Sequence, residues 1–197
     1  MNTIQNISDQ SLILSYRQGD EQAINTLIER HRKRVYNYIL MLVKDSSVAD
    51  DIFQDLFIKV IASLKNGKYS DHGKFISWLL RIAHNMVIDY FRLKKNQNLV
   101  STDGENQILN NKSLTDRNIE DVLIKEQTEK DIRKLIDYLP LEQREVVVMR
   151  HYLGLSFKEI AEQTDVSINT SLGRMRYALM NLKKMMQDNN ITLSFES

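Results

Sequence analysis

Between Ser156 and Lys184, side chains able to hydrogen-bond a base edge or a phosphate fall at helical spacing and carry one sign of charge. Four basic residues (Arg174, Arg176, Lys183 and Lys184) and no acid lie between Val166 and Gln187. Arginine pairs in bidentate fashion with guanine, and lysine suits phosphate as a point charge. Upstream, Ser156-Phe-Lys-Glu159 is a capping box that opens a short helix containing Ile160 and Ala161. Asp165 and Val166 make a brief turn, and Ser167 is a natural N-cap for a long helix from Ile168 onward. Short helix, brief turn and second helix form a helix-turn-helix. The stripe Ser171, Met175, Ala178, Leu182 and Met186 is expected to face the core of this unit. Ala161 falls where the two helices approach closely, and Val166 plugs the turn. The opposite face presents Asn169, Leu172, Gly173, Arg176 and Tyr177, positions that a recognition helix places against base edges in the major groove. A helical hairpin with a solvated basic face is the competing reading. The capping box, the alanine, the turn length and the acid-free run favour DNA.

A second segment mixes aromatic and polar chemistry. Phe75 to Arg92 combines an aromatic-rich stripe with Arg81, His84, Asn85, Asp89 and Arg92 on another face, followed by Lys94 and Lys95. Rings beside a phosphate track suit unpaired bases. By pattern alone, an amphipathic core helix with a solvated face accounts for the segment at least as well. Asp50, Asp51 and Asp55, with Gln54 among them, form an acidic helical cluster. Together with His31 or His84 such carboxylates are a conceivable divalent-metal set, although this spacing of acids is ordinary on any helix. No phosphate-binding loop or nucleophile motif accompanies them.

Composition narrows the classes further. The 197-residue chain is 42% hydrophobic and 27% charged, as expected of a folded globular protein. Its formal net charge is only +1, so any nucleic-acid-binding charge must be local and balanced by acid elsewhere. No cysteine is present, which excludes disulfides, thiolate metal sites and cysteine nucleophiles and suits a reducing cytoplasm. The leading residues MNTIQNISDQ lack the basic and apolar regions of a signal peptide. The longest apolar stretch, Val35 to Val43, is too short to cross a bilayer. The expectation is a cytoplasmic protein without direct membrane insertion, cofactor or metal.

One proline and six glycines point to helices. Apolar residues recur at three and four: Ala23, Ile24, Leu27 and Ile28; Val35, Ile39, Leu42 and Val43; Ala49, Ile52, Phe53, Leu56, Val60, Ile61 and Leu64. A further stripe holds Phe75, Trp78, Leu79, Ile82, Ala83, Met86 and Tyr90. Gly19-Asp20 separates a short first helix from the next, with Asp20 as N-cap, and Ser47-x-x-Asp50 resembles a capping box. Lys65 to Lys74 reads as a loop. From Lys94 to Asp116 the periodicity collapses into a polar, Asn-rich run expected to be a flexible linker. Helical spacing resumes from Ile119 to Leu139, and Pro140 suits the first turn of another helix. The expected architecture is all-α, with two small helical domains over 1–93 and 117–188, the linker over 94–116 and a tail over 189–197.

These motifs together resemble a known family. Asp50-Asp-Ile-Phe-Gln-Asp-Leu-Phe57 and the Phe75–Arg92 segment are similar to region 2 of bacterial sigma factors. Leu139-Pro-Leu-Glu-Gln-Arg-Glu145, Phe157-Lys-Glu-Ile-Ala161 and Asn169-Thr-Ser-Leu-Gly-Arg-Met-Arg-Tyr-Ala178 resemble region 4. Their order, without regions 1 and 3, resembles the two-domain extracytoplasmic-function group. The resemblance implies that Asp50, Asp51, Gln54 and Asp55 dock on the β′ subunit of core RNA polymerase. It implies that Tyr69 and Asn85 receive a base flipped from the −10 element, with Arg92, Lys94 and Lys95 on the nearby backbone. Ser70-Asp71-His72 stands where an Arg-Gly-Asp-like run is frequent in the family. For the −35 element it implies Lys158, Asn169, Thr170, Leu172, Gly173, Arg174, Arg176 and Tyr177. Leu172 and Gly173 are weak hydrogen-bonders, so shape and thymine methyls gain weight there.

Promoter elements two helical turns apart are separated by roughly 70 Å. A relaxed coil of about 23 residues spans some 25–30 Å, and the same segment fully extended reaches about 75 Å. An extended tether therefore suffices. The implied protein is a promoter-recognition subunit rather than an enzyme, with polymerase β′ and β subunits, promoter DNA and an anti-sigma factor as partners. The alternative is a stand-alone helix-turn-helix regulator, which leaves the acidic cluster and the Trp78–Arg92 segment without a role.

Overall fold

The computed structural model describes residues 7–69, 74–100 (main chain alone beyond Gln97) and 132–189, and among them there is helix and no strand. The chain divides into two compact units, one running to Lys94 and the other taking in most of the chain from Lys95 onward.

The N-terminal unit contains α1 (Asp9–Arg17), α2 (Glu21–Val43), α3 (Ser46–Lys65) and most of α4 (Phe75–Val100). Each boundary has a local cause. Ser8 caps α1 by accepting from the Ser11 N–H, and Asp20 caps α2 by accepting from the Gln22 N–H at 2.9 Å. Gly19 makes this tight connection with φ +105, a conformation open to glycine without strain. Lys44, left-handed at φ 61, ends α2, and Asp45 immediately caps α3 through the N–H groups of Ser47 and Val48. The expected box starting at Ser47 is therefore not the cap.

α2 packs against both α1 and α3. Val35, Ile39, Leu42, Leu56, Val60, Leu64, Leu79 and Leu80 are wholly or almost wholly removed from solvent. At about 25 cal/mol per Å2 of apolar surface, this burial is what holds the unit together. The α4 stripe is rotated from the expected one. Phe75, Leu79, Leu80, Ala83, His84 and Val87 are buried, whereas Trp78, Ile82, Met86 and Tyr90 are half-buried. His84 thus belongs to the buried side and not to the polar face.

α4 also continues through Lys94 and Lys95 to Val100, past the expected start of the linker. The apolar stripe vanishes there because the helix has left its core: Arg92 through Gln97 are all exposed. No glycine or proline occurs between Gly73 and Gly104, and Lys, Asn and Gln are tolerated on a solvated helix. The remainder of the expected linker, the Ile119–Leu123 stripe and the tail beyond residue 189 lie outside the described residues.

The C-terminal unit has a helical segment over 132–136, then α5 (Leu141–His151), α6 (Phe157–Thr164) and α7 (Ile168–Asp188). Pro140 is the residue before α5, at φ −51, one position ahead of the expected first turn. α5 is buried from Arg144 to Met149 without a break, which makes it the central helix of the unit. Its Arg144 guanidinium donates to the Leu139 carbonyl at 3.0 Å, and burial pushes its pKa below the ordinary arginine value. α7 packs against α5, and Asn181 donates to Gln143 at 2.8 Å.

Candidate nucleic-acid and polymerase interface

In the C-terminal unit, every device that orients α7 is local. The Ser156–Glu159 box forms as expected: the Ser156 N–H and hydroxyl both reach Glu159 Oε2, at 2.8 and 2.7 Å, and the Glu159 N–H reaches Ser156 Oγ at 3.2 Å. Arg150, at the end of α5, donates to the Leu155 carbonyl at 2.9 Å and lies over the Phe157 ring, 5.2 Å from its centroid. It thereby sets the start of α6 against α5. The turn is closed by the Val166 N–H on the Ala161 carbonyl at 3.1 Å, with Asp165 left-handed at φ 53. Val166 is half-buried, in keeping with its place as the plug. Ser167 then caps α7, accepting from the Thr170 N–H at 3.0 Å.

This scaffold divides α7 into two sides. Ser171, Met175 and Ala178 are buried, as their spacing predicts, and Leu182 and Met186 are half-buried. Asn169, Thr170, Leu172, Arg176 and Tyr177 are exposed; Gly173 and Arg174 are partly so. Leu172 and Tyr177 keep 44% and 60% of their surface, which is unusual for large apolar side chains in the middle of a helix. A Cβ added at Gly173 would meet nothing within 4 Å. Glycine inside a helix costs about 1 kcal/mol relative to alanine, and no neighbour within the chain requires it. Lys158 is exposed in the first turn of α6. The sequence did not mark the exposed Leu179 and Met180, which line a shallow apolar groove with Leu172 and Met175 beside the polar face.

In the N-terminal unit the candidate face lies on α4. Asn85, Arg92, Lys94 and Lys95 are exposed, with Arg81 and Asp89. Arg92 pairs with Asp89 at 3.1 Å, and Lys94 lies 5.7 Å from the Tyr90 ring centroid. Both contacts sit within one helix and at high exposure, so they are worth a few tenths of a kcal/mol, roughly, and yield readily to phosphate. Tyr69 is placed differently from the expectation of a presented ring. It is 4% exposed, 4.5 Å from the Trp78 ring and 5.7 Å from Phe75. Capturing a base with that ring would require it to leave its cluster. Ser70-Asp71-His72 lie outside the described residues.

The acidic cluster lies on α3 just past its first turn. Asp50, Asp51, Gln54 and Asp55 are all exposed. Tyr36 hydrogen-bonds to Asp50, which raises the phenol pKa above its usual 10, and its ring meets Phe53 edge-on at 5.7 Å. Asp51 and Asp55 are exposed beside Asp50. His31 belongs elsewhere, with Nε2 on Asp9 at 2.8 Å. Among the described residues no three His, Asp or Glu side chains gather as a metal site, and no helix is long and apolar enough to cross a membrane.

This arrangement matches known proteins along the chain. Residues 27–97 match the family model for sigma-70 region 2, and residues 129–181 match that for sigma-70 region 4. The chain is 30% identical over 164 residues to RNA polymerase sigma factor SigZ of Bacillus subtilis, covering 83% of this chain and 87% of that one. It is 27% identical over 173 residues to the ECF RNA polymerase sigma-E factor of Haemophilus influenzae, covering 86% and 90% respectively. Among solved structures, the sigma factor RpoE of Bartonella quintana, in complex with the anti-sigma factor NepR, shares the fold with a TM-score of 0.62 at 17% identity. That match covers 83% of this chain and 96% of RpoE. With an acidic cluster on α3, a polar face on α4 and a capped helix-turn-helix, all within these matches, the chain belongs to the ECF-type RNA polymerase sigma factors and serves transcription initiation with core polymerase and promoter DNA.

Proposed function

We propose that α7 reads the −35 element through Asn169, Leu172, Gly173, Arg176 and Tyr177, while Lys158, Thr170 and Arg174 meet the flanking phosphates. The observation that carries this reading is the division of α7, with Ser171, Met175 and Ala178 buried on one side and an exposed side free of acids from Asn169 to Gln187. Arg176 supplies the strongest base contact, and the exposed Leu172 supports apolar contact with thymine methyls. On α4, Asn85 takes the −10 base and Arg92, Lys94 and Lys95 follow the backbone, with Tyr69 anchoring the loop from beneath. Asp50, Asp51, Gln54 and Asp55 dock on basic groups of the polymerase β′ subunit, and charge complementarity steers that encounter. In this role the chain is a non-enzymatic, cytoplasmic subunit. An anti-sigma factor that covers these faces, as partner to this chain, is supported by the complex in which the Bartonella quintana relative was solved. An independent regulator would leave the α3 cluster without a partner.

The direct test is promoter-specific transcription with purified core polymerase. Adding this chain is expected to start transcripts at defined positions preceded by paired −35 and −10 sequences. Binding to duplex DNA without any transcript would overturn the reading.

A further inference from the structure

From Arg92 to Gln97 the side chains of α4 are all exposed, and Leu93 is the one apolar residue among them. It keeps 62% of its surface. α4 has left its core here, so burial within the unit does not account for a leucine. Nor is Leu93 an isolated apolar spot. Ile82, Met86 and Leu93 recur at i, i+4 and i+11, which puts them on one flank of the helix, and the first two are half-buried. The exposed Arg81, Asn85 and Arg92 recur at the same spacing one residue earlier. The apolar flank therefore borders the polar line along its length. Lys94 and Lys95, exposed next to Leu93, suit a phosphate backbone as the neighbour of this segment.

We propose that Leu93 is a specificity-determining residue: it packs on the C5-methyl group of a thymine about three to four bases from the one at Asn85. This rests on the reading of the α4 face as the −10 site. Leu93 lies eight residues beyond Asn85, or about 12 Å along a helix that rises 1.5 Å per residue. Successive bases on one strand are about 3.4 Å apart, which sets the offset. The leucine side chain neither donates nor accepts a hydrogen bond. The thymine methyl is the apolar group that base edges offer, so thymine is the base this side chain distinguishes.

The test measures promoter affinity of holoenzyme on fragments that carry thymine, and then deoxyuridine, at each position around −10 in turn. The exchange removes the methyl group and keeps every hydrogen-bonding group of the base. With the native chain, one such exchange is expected to lower affinity about fourfold, the worth of burying one methyl group. Leu93→Ala is expected to bind the thymine fragment at that lower level and to lose the difference between the two bases there. Leu93→Met, similar in volume, retains it. Asn85→Ala keeps the methyl effect and alters the preference at its own base. If no exchange affects the native chain, or if Leu93→Ala still separates the two bases as the native chain does, the role of Leu93 falls. The −10 face then stands if Asn85→Ala alters −10 preferences, and falls as well if it does not. Weaker binding of Leu93→Ala to core polymerase in the absence of DNA would assign the side chain to polymerase and also overturn the proposal.

Discussion

α7 and the α4 face present polar groups outward by different means. The α7 face is set by contacts between near neighbours in sequence: Ser156 with Glu159, Ala161 with Val166, Ser167 with Thr170. The unit that carries the α4 face is instead tied by contacts across long stretches, Arg17 to Tyr69 and Asp9 to His31. A locally scaffolded face can be docked as a preformed unit, as a duplex groove requires. An extruded base, which costs a few kcal/mol to unstack, needs instead a shaped acceptor, and on the proposed reading the two faces would serve the two states of promoter DNA, paired at −35 and opened at −10.

Two substitutions sharpen or break that comparison. The larger effect is expected from Arg176→Ala. Loss of one bidentate base contact is worth about 1–3 kcal/mol, or roughly ten- to a hundredfold in −35-dependent transcription. Discrimination should relax at a single −35 position while −10 preferences stay as they were. A change in −10 preferences would show that the two faces do not act separately. The smaller effect, and one with opposite signs in two measurements, is expected from Gly173→Ala. With φ in the helical range and nothing within 4 Å of the new methyl, α7 should gain about 0.5–1 kcal/mol in denaturant unfolding. Promoter affinity should fall, because the methyl stands where DNA approaches. A gain in both would remove Gly173 from the interface.

The same contrast explains what could be read from sequence. Caps at Asp20 and Ser167, the Ser156–Glu159 box and the buried side of α7 were legible because each is a pattern of residue types within a few positions. The cap of α3 was not, because Asp45 and Ser47 are both good capping residues two positions apart, and it is Asp45 that accepts from the Ser47 and Val48 N–H groups. The extension of α4 to Val100 was hidden because apolar periodicity reports a core, and a helix that has left its core has none. Placing His84 on the polar face failed for a related reason: a rotation of the stripe by one residue buries it. The bond from Arg17 to Tyr69 was invisible in principle, since a main-chain oxygen carries no residue signature and the partner lies 52 positions away. Family resemblance supplied the role of the α4 face, which spacing alone left open.

The central claim is that neither face suffices alone and that recognition belongs to the assembled holoenzyme. A net charge of +1 leaves little long-range attraction for DNA. The most direct measurement is the affinity for one promoter fragment, at physiological salt, of the free chain and of the chain bound to core polymerase. The account predicts that the free chain binds at about micromolar strength or weaker, in the range of non-specific contacts, and that holoenzyme binds orders of magnitude more tightly with dependence on both elements. Nanomolar, sequence-specific binding by the free chain would contradict it.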